Sequence, residues 1–203
     1  MPEGAQVFLG PRYALLRPEF DSAPAIPRTN GLRRMLVFFG GVDSTNEALK
    51  IIQALCQMGS SAPETGVVLG PANPHLDSVL SAASGAAGIN VLRQTEDMAR
   101  LMREADFGIG TCGMAAWERC SVGLPSLVVI SADNQRDDAR ILHAMGAARS
   151  LGDAVNASIE QWAAEIQDMR KDPALLNAMS YAAAAVMRGR SEAMRDLEAA
   201  LVS

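Results

Sequence analysis

The sequence predicts an α/β fold built on a doubly wound parallel sheet. Short runs such as residues 35–39, 107–109 and, after Ser126, 127–130 are apolar throughout and do not alternate. That is the pattern of strands covered on both faces. Helical spacing separates each run from the next, so the connections are crossovers and the strands run parallel. The polar and glycine-rich turns all follow strands, which brings them to one rim of the sheet, where ligands bind in such folds.

The elements follow in order. Residues 35–39 form a strand, then Gly40-Gly41-Val42-Asp43-Ser44 leads into a helix reaching about residue 58. Asp43 and Ser44 suit helix caps. Residues 66–69 form a strand, followed by the turn at 71–75 and a helix into the small residues of 81–88. Residues 89–92 form a strand, then Thr95-Glu96-Asp97 opens a helix to about 104. The strands at 107–109 and 126–130 flank a helix entered through Gly110-Thr111-Cys112-Gly113. Residues 134–145 are helical, with Asn134 and Gln135 as alternative caps, and 148–151 form a last edge strand. Helices follow at 157–171, from Pro173 to 187, and on to 201. The prolines at 2, 11, 18, 24 and 27 make residues 1–34 an extended linker and not a packed unit. The expected divisions are 1–34, the sheet domain at 35–156, and C-terminal helices at 157–203.

Composition narrows the function. The chain has 203 residues, 49% of them hydrophobic, enough for one large core. A net charge of −5 and a pI near 5.1 speak against nucleic acid as partner. No apolar run approaches the ~20 residues of a membrane helix, and the start lacks a signal-peptide pattern. With three cysteines and no CxxC pair, neither a disulfide framework nor a metal site is expected. The expected setting is cytoplasmic. Cys56 and Cys120 suit helix packing, Trp117 suits the core, and His75 suits a turn.

The glycine turn at 110–113 carries the chemistry. A helix N-terminus offers unpaired N–H groups and a partial positive charge, which suit a phosphate. Glu118 lies about one and a half turns further on, where it could accept hydrogen bonds from sugar hydroxyls beside that phosphate. Gly40, Gly41, Gly110 and Gly113 serve either the ligand or tight turns.

Five ordered motifs carry a family resemblance: Leu15-Leu16-Arg17-Pro18-Glu19-Phe20, Phe38-Phe39-Gly40-Gly41-Val42-Asp43, Gly70-Pro71-Ala72-Asn73-Pro74-His75, Trp117-Glu118-Arg119-Cys120 and Ala132-Asp133-Asn134-Gln135. Over roughly residues 7–200 the chain resembles the UDP-2,4-diacetamido-2,4,6-trideoxy-β-L-altropyranose hydrolases of pseudaminic acid biosynthesis. It is also similar to the nucleotide-binding half of the undecaprenyl-pyrophosphoryl-muramoyl-pentapeptide N-acetylglucosaminyltransferases. The resemblance implies a Rossmann-like domain, the C-terminal half of a two-domain GT-B fold, that holds the UDP part of a UDP-sugar without a cofactor. It implies that Glu118 holds the ribose hydroxyls and that Arg17 and Asn134 face the ligand. Thr95 to Met98 would line the uracil pocket, with Gly40, Gly41, Thr111, Cys112, Gly113 and Gln135 completing the site. The family's general base, a histidine in an N-terminal domain, has no counterpart here, since His75 and His143 are the only histidines and neither matches that position. An N-terminal GT-B domain is therefore an expected partner, with no catalytic residue in this chain. A final helix without that domain beside it would leave apolar surface open to self-association.

Overall fold

The computed structural model describes residues 6–21, 25–93 and 95–202. Pro2 and Pro24, and the start of the chain read for a signal peptide, lie outside them. Six strands form one parallel sheet: β1 (Arg34–Phe38), β2 (Glu64–Leu69), β3 (Ile89–Arg93), β4 (Phe107–Thr111), β5 (Ser126–Ile130) and β6 (Ala148–Asp153). Their order is β3-β2-β1-β4-β5-β6. The chain winds outward from β1 in one direction and from β4 in the other, so the topological switch lies between these two strands. The expected doubly wound sheet is what forms. The edge strand β6 is longer than its apolar content suggested, because backbone pairing to β5 carries it through Arg149, Ser150 and Gly152 to Asp153.

Helices α1 (Glu47–Met58), α2 (Leu76–Ala83) and α6 (Ile159–Lys171) cover one face. Ile51, Ile52 and Leu55 of α1 meet Val37, Val67, Ile109 and Leu127 of the sheet, with Trp162 and Ile166 of α6 packed behind them. The other face carries α3 (Met98–Glu104), α4 (Met114–Ser121) and α5 (Arg136–Ala144), and α7 (Pro173–Val186) joins both cores, Leu176 and Met179 in the first and Ala183 and Val186 in the second. Strand residues alternate between these cores: Val37 and Val67 point to one, Leu36 and Val68 to the other. The last helix, α8 (Arg190–Val202), lies against a one-turn helix at Pro11–Tyr13.

Local chemistry explains the helix ends. Ser158 caps α6 by accepting from Gln161 N at 3.1 Å. Asp172 caps α7 by accepting from Leu175 N at 2.9 Å, with Pro173 in the first turn. Helix α4 stops at Gly123, which takes φ +67°. Gly123 N donates to Cys120 O and Leu124 N to Arg119 O, the paired bonds of a Schellman ending.

The segment before β1 is extended as its prolines require, yet it is docked, contrary to the unpacked linker expected. Phe20 is buried among Leu36, Val68 and Met98. Arg28 is buried and donates to five backbone carbonyls: Ile26, Met102, Arg103, Ala105 and Val122. Four of these lie at the carboxyl ends of α3 and α4, where unpaired carbonyls and the helix dipole favour a cation. Arg28 N donates to Ser180 Oγ at 2.8 Å, and Asn177 Nδ2 returns a bond to Arg28 O at 2.8 Å. Burial draws the Arg28 pKa down to about 10, against an opposing pull from Asp106. A lone arginine in a proline-rich stretch gave no sign of this role.

Among the described residues no helix is long and apolar enough to cross a membrane. Cys120 is buried as expected, whereas Cys56 is exposed and not a packing residue. Burial pushes the thiols of Cys112 and Cys120 up to about 11 and about 12. Native protein at neutral pH is therefore expected to react with Ellman's reagent at Cys56 alone, and the denatured chain at all three cysteines. Unfolded thiols ionise near their ordinary value of 9.0 while the folded ones stay protonated, so stability falls as pH rises from there toward 11. Titrating the unfolding free energy across that range checks it.

Candidate functional site: a cleft at the strand ends

A cavity of about 670 Å³ opens at the switch point, above the carboxyl ends of β1 and β4. Every strand contributes to it. Phe39 and the Gly40-Gly41 loop follow β1, Gly70 and Pro71 follow β2, and Thr95 and Met98 follow β3. Thr111 ends β4 and Gly113 follows it, Ser131 and Gln135 follow β5, and Ala154 follows β6. The rim predicted from the turn positions is where the cleft lies.

Of the candidate residues, Arg17, Gly40, Gly41, Thr95, Met98, Thr111, Gly113, Glu118 and Gln135 line this cavity. Gly110, Cys112 and Asn134 do not, and each has a physical reason. Gly110 and Thr111 belong to β4 and not to a turn, so only Cys112 and Gly113 make the bend. A Cβ at Gly110 would lie 2.2 Å from Phe38 O and 2.8 Å from Arg119 Nη1, so this glycine serves strand packing. Cys112 is fully buried, packed with Ala116 and Val128 on the helical face. Asn134 is exposed in the one-turn helix Asp133–Gln135. Gln135 does not cap α5: its Oε1 accepts from Ser131 N at 3.1 Å and Ser131 Oγ at 3.2 Å, bracing the loop after β5.

Helix α4 dominates one wall. Gly113 is its N-cap residue, and Gly113, Met114 and Ala115 all face the cavity. Glu118, one turn on, points into the same space and is only 3% exposed. Its carboxylate is gripped by Arg17 from the segment before β1. Nε donates to Oε1 at 2.8 Å and Nη2 to Oε2 at 3.0 Å. Arg17 Nη1 lies 3.2 Å from Glu19 Oε1, and the guanidinium stands 5.2 Å from the centre of the Phe20 ring. Hydrogen bonding and charge from Glu118 raise the Arg17 pKa. The two candidates thus meet across 101 residues of sequence as one fork.

The opposite wall holds two carboxylates that sequence reading did not place in the site. Asp43, in a left-handed conformation at φ 50°, turns its buried carboxylate onto α1. It accepts from Glu47 N at 2.9 Å and Ala48 N at 3.0 Å. The capping expected of Asp43 occurs, and its consequence is that two first-turn N–H groups of α1 are taken, while no side chain caps α4, where Ala116 N turns back to Gly113 O. Burial raises the Asp43 pKa, opposed by those two N–H donors. Glu47 is buried, accepts from Trp162 Nε1 at 3.1 Å and from Lys50 Nζ at 2.7 Å, and lines the cavity. Its spacing with Lys50 was the available signal. The Gly70 motif also gains a reason. A Cβ there would lie 2.4 Å from Gly41 Cα, so the loops after β1 and β2 cross backbone on backbone.

No group of three or more His, Cys, Asp or Glu side chains placed to hold a metal occurs among the described residues.

This sheet order, with its cleft at the switch point and helices continuing past β6, is the Rossmann-like architecture of GT-B C-terminal domains. The chain belongs to the glycosyltransferase family 28 C-terminal domain family, whose profile matches residues 35–197. It is 30% identical over 149 residues to the spore coat polysaccharide biosynthesis protein SpsG of Bacillus subtilis (strain 168). That alignment covers 72% of this chain and 44% of SpsG, so the chain spans less than half of that relative's length. The spinosyn rhamnosyltransferase SpnG, solved with thymidine diphosphate, superposes with a TM-score of 0.63 at 20% identity, over 98% of this chain and 52% of that one. MurG of Acinetobacter baumannii superposes with a TM-score of 0.62 at 18% identity, over 85% and 55%.

Proposed function

We propose that the cleft binds the UDP part of a UDP-sugar, and that the chain is the nucleotide-sugar-binding half of a two-domain protein of surface-polysaccharide synthesis. One observation carries this reading: α4 sets free first-turn N–H groups and the buried Glu118 carboxylate along the same wall. The first suits a diphosphate. The second suits a ribose diol, whose hydroxyls take the place of the Arg17 Nε and Nη2 donors. Met98 gives a base ring an apolar floor, and Gln135 with Ser131 stands on the side of the sugar. SpsG's role in spore coat polysaccharide biosynthesis supports the same assignment.

In the first reading the whole protein is a hydrolase of the pseudaminic acid type. Water attacks the anomeric carbon, the C–O bond to the diphosphate breaks, and UDP leaves as the free sugar forms. An N-terminal domain supplies the base. This chain holds the leaving group in line, a positioning contribution. The family assignment and the likeness to glycosyltransferases favour a second reading, transfer of the sugar to an acceptor from the same UDP half. Adding the N-terminal domain to the chain separates them: free sugar without an acceptor means hydrolysis.

Calorimetric titration of UDP tests the shared part. Saturable binding is expected for wild type. Glu118→Ala is expected to weaken it roughly a hundredfold, the loss of two charge-assisted hydrogen bonds at about 1.5 kcal/mol each. A wild-type chain that does not bind UDP overturns the proposal.

A further inference from the structure

We infer that Arg119, which never reaches the cleft, is a buried cation that sets the cleft's preference for a diphosphate over an uncharged nucleoside. The inference rests on the reading that the diphosphate sits at the start of α4.

Arg119 leaves α4 on the side away from the cavity and runs beneath β4, 2% exposed. Two glycines make its channel. A Cβ at Gly108 would lie 2.7 Å from Arg119 Cδ, and one at Gly110 would lie 2.8 Å from Nη1. Nη2 donates to Thr111 O at 2.7 Å. Nε and Nη1 have no hydrogen-bond partner among the described residues.

Among the described residues the charge has no ion pair there either. The titratable groups close to it are Glu118, Cys112 and Cys120. The two thiols are neutral, and both Glu118 oxygens are held by Arg17. An unpaired buried charge is costly, and an apolar side chain of similar length usually serves packing as well or better. Packing therefore does not account for a guanidinium at this place.

Its position relative to the cleft does. Thr111, whose carbonyl it holds, and Gly113 both line the cavity. One layer of backbone separates the guanidinium from the floor below the α4 N-terminus. An anion seated on that N-terminus meets the helix N–H groups, with a full positive charge behind them. The intervening medium is protein, which screens little. Arg119 then acts through the field and through the Thr111 carbonyl, as a positioning residue. A nucleoside without phosphates gains nothing from it.

The test compares UDP and uridine on wild type and Arg119→Met by calorimetry, with thermal unfolding of the unliganded proteins. The expected result is UDP affinity lowered about tenfold, uridine affinity unchanged within about twofold, and a Tm equal to or above wild type. A merely structural arginine would lower the Tm and weaken both ligands alike. A folded variant that keeps the wild-type ratio of UDP to uridine affinity overturns the inference and leaves the UDP site standing. Wild type that binds no UDP overturns the site, and the inference with it. Should Arg119→Met not fold, Arg119→Lys decides. A buried lysine loses its charge far below the usual lysine range, so the UDP affinity of that variant, taken relative to wild type at each pH, should fall as pH rises from about 5 to about 8 while uridine affinity stays level. UDP affinity that equals the wild-type value across that range overturns the inference.

Discussion

Arg28→Met is expected to lower the unfolding free energy by about 3–5 kcal/mol, among the larger effects available to a single substitution. The reason lies in what the guanidinium leaves behind. Carbonyls of Met102, Arg103, Ala105 and Val122 lose their donor at two helix ends that are otherwise buried. Each stranded carbonyl costs about 1–3 kcal/mol, less whatever water recovers on relaxation. Methionine fills much of the stem's volume, so packing loss is a minor part. Chemical denaturation should show a lower midpoint with an unchanged slope, and the Tm should fall by roughly 10 °C. A loss below about 1 kcal/mol would mean that the helix ends reach water without Arg28.

Gly70→Ala is expected to cost about 2–3 kcal/mol and to damage the cleft as well. The added methyl would overlap Gly41 Cα and Gly41 O, both at 2.4 Å, and Gly40 O at 2.5 Å. All three are backbone atoms, so no side chain can swing aside, and overpacking of this kind costs about 1–3 kcal/mol. The loop after β1 must retreat. In doing so it strains the bond from Ala72 N to Gly41 O and the left-handed turn at Asp43 that caps α1. Denaturation reads the stability loss, and UDP titration reads the widened cleft as weaker binding. Gly85→Ala is the matching control. That glycine has nothing within 4 Å of its Cβ position but takes φ +85°, so it registers backbone strain without a collision.

The sheet was legible because burial on both faces leaves a local mark. Runs such as Leu127-Val128-Val129 have few other uses, and the switch point then follows from strand order. The rim was legible for the same reason, since a parallel sheet puts all its outgoing turns on one side. Legibility failed where a polar residue has been drawn inside. Arg28, Arg119 and Glu47 each look like solvated charge in sequence, and only the fold shows the carbonyls, glycines and indole around them. Gly110 misled in the other direction. Its place beside a bend suggested a ligand contact, while the arginine nine residues later, which needs the space, cannot be read by proximity. The Arg17–Glu118 fork joins two residues that the sequence singled out separately, but nothing local announces that they satisfy each other.

That fork links the cleft to the segment that precedes the sheet. Glu118 cannot give both oxygens to Arg17 and both to a sugar diol with equal strength. A ligand that draws on the carboxylate therefore loosens the hold on residues 17–20 by the same free energy that Arg17 withholds from the ligand. Such coupling is reciprocal by thermodynamic necessity. A pull that shifts the segment carrying Arg17 and Phe20 would change how readily the cleft accepts a nucleotide. The two events would be one equilibrium viewed from opposite ends.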